Sequence, residues 1–206
     1  IYLIRGEIVM SMEFNINVYN SPDNNSRDEM IQFISEHNDK FAEYTLIESA
    51  RMWNLIPNVE EKSSEQILEG YYERLFGTVI TAEHGDKVIG IVSFKESFGE
   101  EGGWLDGRVK NNYWPLHWLS FILIDEEHRR KGVWTDIYNY VRTDVIPNCE
   151  KTYERLGFAT SSRKESMKQF ASKNNFECVN VIPDDRGDGI NSCIFIKDLN
   201  PNKLSE

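Results

Sequence analysis

Hydrophobic and polar positions along the chain follow two periods, and the points where one gives way to the other mark out the elements. Met12 to Tyr19 alternates, with Phe14, Ile16 and Val18 on one side, and predicts a first strand. Ser21 to Arg27 is rich in turn formers, and Ser26-Arg27-Asp28-Glu29 reads as a capping box ahead of Met30, Ile31, Ile34 and Phe41 at helical spacing. Tyr44 to Val59 is aromatic and irregular, a helix plus a loop. A second box, Ser63-x-x-Gln66, precedes Ile67, Leu68, Tyr71, Tyr72, Leu75 and Phe76 on one helix face. Thr78 to Glu83 and Lys87 to Lys95 flank His84-Gly85-Asp86, the clearest hairpin signal in the chain.

The second half continues in the same manner. Glu96 to Asn112 is rich in glycine and acid and too long for a tight connection, which predicts a functional loop. His117 to Asp125 is almost continuously apolar, as in a central strand buried on both faces. Gly132 to Val145 has Val133, Ile137, Tyr140 and Val141 at helical spacing. Gly157 to Ser162 predicts a strand, Ser162-x-x-Glu165 a cap for a helix holding Met167, Phe170 and Ala171, and Phe176 to Ile182 and Ile190 to Lys197 two closing strands around the turn-rich Pro183 to Gly189. No repeat interrupts this order. The expectation is a single-domain mixed α/β fold, a largely antiparallel sheet flanked by helices, over residues 12–199. Residues 1–11 are expected to be a leader or N-terminal extension, and 200–206 a tail.

Composition narrows the function. The 206 residues carry 23 Lys and Arg against 34 Asp and Glu, a net charge of −11, which argues against nucleic acid as the main partner. The longest apolar run, Phe121 to Ile124, is far below the roughly 18 residues of a membrane span, so no membrane association is expected. The three cysteines, Cys149, Cys178 and Cys193, form no CxxC or Cys/His cluster of zinc spacing. They read as free thiols of a cytoplasmic protein, and no metal is expected. Neither a Walker pattern nor GxGxxG occurs, which disfavours a nucleotide-binding protein of another fold.

The chemistry concentrates where the buried strand meets the helix. Ile124-Asp125-Glu126-Glu127-His128-Arg129-Arg130-Lys131-Gly132-Val133-Trp134-Thr135 puts three cations and a glycine ahead of an amphipathic helix. Unpaired N–H groups at the positive end of a helix dipole, reached past a glycine, suit a pyrophosphate. A solvated basic turn followed by an ordinary helix fits the local residues equally.

Arg129-x-x-Gly132 after a strand ending in Asp125 resembles the acetyl-coenzyme A signature of the GNAT superfamily of N-acetyltransferases, Gln/Arg-x-x-Gly-x-Gly/Ala, and the element order from Met12 to Leu199 is similar as well. One position departs: Trp134 stands where the family has Gly or Ala, and its side chain either crowds the pyrophosphate or points into the core. The resemblance implies that Arg129, Arg130, Lys131, Gly132, Val133, Trp134 and Thr135 cradle the pyrophosphate of acetyl-CoA. It implies that Ile122, Leu123 and Ile124 of the fourth strand pair with the pantetheine arm, and that the N–H near Ile122 polarises the thioester carbonyl. The family's thiolate-protonating Tyr, in a Tyr-x-x-x-Gly-Phe phrase, has two placements. Tyr153 matches in wording but comes too soon after Arg129. Asn174-Asn175-Phe176 suits the element order and puts Ala171 where the Tyr belongs, leaving Tyr153 as a helix-packing aromatic.

The implied activity is direct transfer of an acetyl group from acetyl-CoA to a primary amine of a small molecule or peptide. The alternative is a non-catalytic ligand- or CoA-binding module of the same fold. The attacking amine must be neutral, so a base or a water chain has to take its proton. Candidates are His117 and Ser120 on the fourth strand and Glu96 at the end of the third, each of which also has an ordinary structural reading. Glu100, Glu101 and Asp106, with Trp53, Trp104, Tyr113 and Trp114, would favour a cationic amine, or simply match an acidic surface. By analogy with the family the chain is a monomer or a homodimer.

Overall fold

Seven strands of this chain form one sheet whose fourth and fifth members part company, and that separation organises the molecule. The structure is a computed structural model that describes residues 2–4, 7–9, 14–20, 24–37, 47–48, 56, 58–75, 77–98, 107–110 and 113–200. A small hairpin, β1 (Tyr2–Ile4) and β2 (Glu7–Val9), precedes the main sheet. The main sheet contains β3 (Asn15–Tyr19), β4 (Thr78–His84), β5 (Lys87–Phe98), β6 (Leu116–Ile124), β7 (Arg155–Ser161), β8 (Glu177–Ile182) and β9 (Ser192–Asp198). Their order across the sheet is β3-β4-β5-β6-β7-β9-β8, and β6 with β7 is the one parallel pair. The helices are α1 (Asn24–Glu36), α2 (Ser64–Leu75), α3 (Val133–Tyr140) and α4 (Glu165–Lys173). The mixed, largely antiparallel architecture and the element order agree with the sequence expectation.

Strand alternation sends successive side chains to opposite faces and so builds two cores. On one face Met30, Phe33 and Ile34 of α1 and Ile67, Leu68 and Tyr72 of α2 cover Val79, Ile91, Phe121 and Leu123. On the other, Val133, Ile137 and Tyr138 of α3 and Ala171 of α4 cover Ile80, Val92, Leu119, Phe158 and Phe195. The helical stripe of α3 therefore runs through Tyr138, which is fully buried, while the expected Tyr140 is only half-buried. Beyond Tyr140 the chain widens into a π-turn, Val141–Val145.

The capping boxes divide. Ser63 forms one: its N–H donates to Gln66 Oε1 at 2.9 Å, and Gln66 N–H donates to Ser63 Oγ at 3.2 Å. Ser26 does not, because α1 already begins at Asn24 and Ser26 lies within its first turn. Ser162 does not either; its Oγ accepts the Asn191 N–H at 3.1 Å, and α4 starts from Lys164 with no side-chain cap. Phe41, most of 44–59 and most of the loop 96–112, with Trp53, Glu100, Glu101, Trp104 and Asp106, lie outside the described residues. Among the described residues no helix is long and apolar enough to cross a membrane.

Candidate functional site

Strands β6 and β7 pair only where they begin. The parallel register covers His117 with Leu156, Trp118 with Gly157 and Leu119 with Phe158, and then ends, although both strands continue. Gly157 permits that close start: a Cβ there would lie 2.7 and 2.8 Å from the Trp118 ring. Immediately beyond, Ser120 is an extra residue opposite the Ser93–Phe94 step of β5, a β-bulge that bends and twists β6 just as β7 leaves it. Ser120 Oγ donates to Ser93 Oγ at 2.9 Å.

The bulge also determines which backbone groups face the gap. Asp125 N–H donates to Ile89 O at 2.9 Å, so Asp125 is turned toward β5. Alternation in the ladder turns Leu123 the same way and aims the backbone of Ile122 and Ile124 at the gap. Leu123 thus lines the site through its neighbourhood rather than by a free amide, a correction to its expected role. The Ile124 carbonyl accepts Arg129 Nε at 3.0 Å, which folds that side chain back against the strand end.

The loop after β6 is tightly wound. Glu126–His128 makes a 3-10 turn, Arg130 has φ 62° and Gly132 φ 90°. Two left-handed residues so close together fold successive N–H groups into a concave surface of the kind that binds anions. The first helical bond of α3 runs from Asp136 N–H to Gly132 O at 3.0 Å, so the N–H groups ahead of it have no intrahelical acceptor.

Gap and loop open into one cavity of about 900 Å³. It is lined by Trp118 to Ile124 of β6, by Arg129, Arg130 and Gly132 to Thr135, by Ala159 to Ser161 of β7, and by residues of α4. Every expected cofactor residue is brought here except Lys131, which is exposed and outside the lining. Trp134 lines the cavity yet leans across to α4, its ring centroid 4.9 Å from Phe170 and 6.0 Å from Tyr138. Of the two orientations expected for it, packing toward the core prevails.

The candidate bases do not converge. Ser120 lines the cavity. His117 does not: it is fully buried, its ring centroid lies 5.4 Å from Phe94 and 5.2 Å from Tyr153, and its Nε2 accepts the Tyr153 N–H at 3.0 Å. Tyr153 itself precedes β7, so its packing partner is this histidine and not a helix. Glu96 belongs to β5 through its backbone, and its side chain lies outside the described residues. Ala171 is fully buried, and the α4 residues facing the cavity are Ser166, Met167, Gln169, Phe170 and Lys173. None of the three cysteines lines it.

His128 lines the cavity as well, a residue to which the sequence reading gave no role. Its Nδ1 lies 2.5 Å from Asp125 Oδ2, while His37, the residue just after α1, meets Asp125 Oδ1 through Nε2 at 3.0 Å. Burial pushes the Asp125 carboxyl up, but hydrogen bonds from His37 and His128, together with their charge, outweigh it and hold the group below the ordinary aspartate range. The aspartate closing the strand is therefore a clamp between the end of α1, β6 and the wound loop before α3. No sequence spacing ties His37 to it, since the two lie in separate elements.

Comparison with solved structures places the fold. A Desulfovibrio desulfuricans protein assigned to the GNAT family of acetyltransferases superposes with TM-score 0.57 at 14% identity, covering 91% of this chain and 99% of that one. The fold is that of the GNAT acetyltransferases. NAA60 of Arabidopsis thaliana shares the GNAT fold, with TM-score 0.58 and 13% identity over 89% of this chain and 98% of that one in complex with a bisubstrate analogue. Its complex with acetyl-CoA gives TM-score 0.57 at 14% identity, covering 89% and 99%. No family model matches the chain, and no curated protein matches it in sequence.

Proposed function

We propose that the chain is an acetyl-CoA-dependent N-acetyltransferase that moves the acetyl group directly to a primary amine. The observation that carries this reading is the early end of the β6–β7 ladder, which leaves the Ile122 and Ile124 backbone facing a cleft that ends at the wound loop before α3. These residues fit the donor. Arg129, Arg130 and the amides from Gly132 to Thr135 match a pyrophosphate in charge and donor geometry, and the unpaired edge of β6 matches an amide-bearing arm laid alongside it. NAA60 takes acetyl-CoA and a bisubstrate analogue in the same fold, which supports the assignment.

The chain's own groups do the following. The Ile122 N–H, aimed into the gap, donates to the thioester carbonyl oxygen and stabilises the charge that develops there as the amine attacks. The amine nitrogen forms the new C–N bond, the C–S bond breaks, and the sulfur leaves as thiolate. The proton lost by the amine goes to solvent through the open cleft, and the departing thiolate takes up a proton from the same solvent; Ser120 Oγ, which donates to Ser93 Oγ, can relay a proton but not keep it. No covalent acyl-enzyme step is involved, consistent with the absence of cysteine from the described lining. Ala171 in place of a hydroxyl-bearing residue favours a second reading, a non-catalytic module that binds CoA.

Calorimetric titration with acetyl-CoA, followed by turnover with an amine panel, separates the two. Micromolar binding is expected, and Gly132→Glu should weaken it at least about a hundredfold by putting a carboxylate, on a backbone strained at φ 90°, into the anion loop. Unchanged affinity in that variant would mean the pyrophosphate site lies elsewhere. Binding without turnover on any amine would favour the module.

A further inference from the structure

The cleft is charged against the character of the chain. Net charge is −11, yet the described lining holds Lys95, Arg129, Arg130, Lys164, Lys173 and Arg186 and no Asp or Glu. A pyrophosphate accounts for the arginines beside Gly132. It does not account for Arg186, which reaches the cleft from the connection between β8 and β9.

Arg186 is built in rather than draped over the surface. It is 9% exposed, and its N–H donates to Ile190 O at 3.0 Å inside a turn stapled by Gly189 N–H to Asp184 Oδ1 at 2.8 Å. Its Nε donates to Ser192 Oγ at 2.8 Å, Ser192 Oγ donates to Asp185 Oδ2 at 2.7 Å, and Asp185 Oδ1 binds Arg108 at 2.5 Å. Burying a guanidinium is costly, and this chain of bonds fixes its orientation before any ligand arrives.

Its position gives it a role. Ser192 pairs with Ser161, and β9 turns Ile194 and Ile196 to the face occupied by Trp118, opposite the face that α3 and α4 cover. Lys95 pairs with Trp118 and shares that face. The donor loop and these two cations thus approach the gap from opposite sides of the sheet. A planar guanidinium held in one orientation matches a carboxylate through paired hydrogen bonds.

We propose that the acceptor amine carries a carboxylate, as in an amino acid, and that Arg186, assisted by Lys95, binds that carboxylate so that the amine faces the gap. The proposal rests on the acetyl-transfer reading and replaces the cationic acceptor suggested by the acidic loop 96–112.

The test is a steady-state assay of CoA release with free amino acids, their α-amides, aminophosphonates and polyamines, alongside acetyl-CoA titration of the same preparations. Wild type should favour the acids over their amides by about tenfold or more in kcat/KM. Arg186→Gln should collapse that ratio through KM for the acids, with acetyl-CoA affinity within about twofold of wild type. Should Arg186→Gln fail to fold, Lys95→Met must lower the same ratio. Preference for amides or polyamines, or equal loss on acids and amides in the variants, overturns the proposal while leaving acetyl transfer intact. Preference for aminophosphonates over carboxylates keeps an anion site but overturns the carboxylate. Failure of wild type to bind acetyl-CoA removes both readings at once.

Discussion

The two edges of β6 behave differently although they belong to one strand. Toward β5 the ladder runs from Gly90 opposite Ile124 to Phe98 opposite Leu116, interrupted but never abandoned. Toward β7 it stops after three pairs. The β3–β6 half is a run of antiparallel neighbours in sequence order, stitched by a short hairpin. The β7-β9-β8 half is reached only through the α3 crossover and is anchored at a seam where Trp118 lies against Gly157. A buried backbone N–H or C=O without a partner is costly, so a strand edge that faces a cavity instead of a neighbouring strand is the edge the proposed function assigns to a ligand. On the proposed function, one edge supplies stability and the other supplies binding.

The most damaging way to break that comparison is at the seam. Gly157→Val would drive a side chain into the buried Trp118 ring and, at 3.0 Å, into Leu116 Cδ1, neither of which has room to withdraw. We expect a loss of about 3 kcal/mol, seen in thermal denaturation as a fall of about 10 °C. Acetyl-CoA affinity should fall with it, because the gap's geometry begins at that seam. A variant with wild-type melting temperature would show that the halves do not depend on this contact.

Most of the fold was legible because its signals are local. The hairpin at 84–86, the apolar run from His117 to Asp125, the box at Ser63 and the order of helices and strands each depend on neighbours within a few residues. The Arg129-x-x-Gly132 turn was legible for the same reason. What could not be read depends on long-range geometry. His117 is the strand histidine best placed by sequence, yet β6 turns it toward Phe94 and Tyr153, away from the cleft, because the bulge that changes the strand's facing comes after it, at Ser120. Ser26 and Ser162 have the spacing of caps, but helix α1 starts two residues earlier and Asn191 claims the other hydroxyl. Arg186 sits in a turn with no motif, and only the packing of β9 against β7 brings it to the site.

A weaker perturbation sharpens the comparison at the open end of β6. Asp125 ties the end of α1 to the loop before α3 through His37 and His128. Its carboxyl titrates below the ordinary aspartate value of about 3.9 in the folded chain. Its contribution to stability is therefore complete above that ordinary value and is lost as pH falls through the lower, folded one. Asp125→Asn should cost about 1–2 kcal/mol near pH 6, given the partial exposure of the group. The gap between variant and wild type should narrow only as pH falls below the ordinary aspartate value, through the lower folded one. Urea denaturation across that range checks it, and a difference that persisted or grew in acid would mean the aspartate is not the clamp described.

The mildest test addresses the closed half alone. Ser63 and Gln66 satisfy each other's backbone N–H groups at the start of α2, a helix that covers Val79 and Ile91 on the side of the sheet away from α3. Removing the hydroxyl with Ser63→Ala leaves the Gln66 N–H to exposed solvent, which costs about 1 kcal/mol. The fall in melting temperature should be about 2–4 °C for a chain of this size. Acetyl-CoA affinity should not change, since the cluster α2 builds with Val79, Ile91, Phe121 and Leu123 lies on the face away from α3 and holds no residue of the Gly157 seam or of the loop before α3. If affinity fell in proportion to stability, here as in Gly157→Val, binding would be tracking the folded fraction of the whole molecule, and the division of β6 into a stabilising edge and a binding edge would have to be given up.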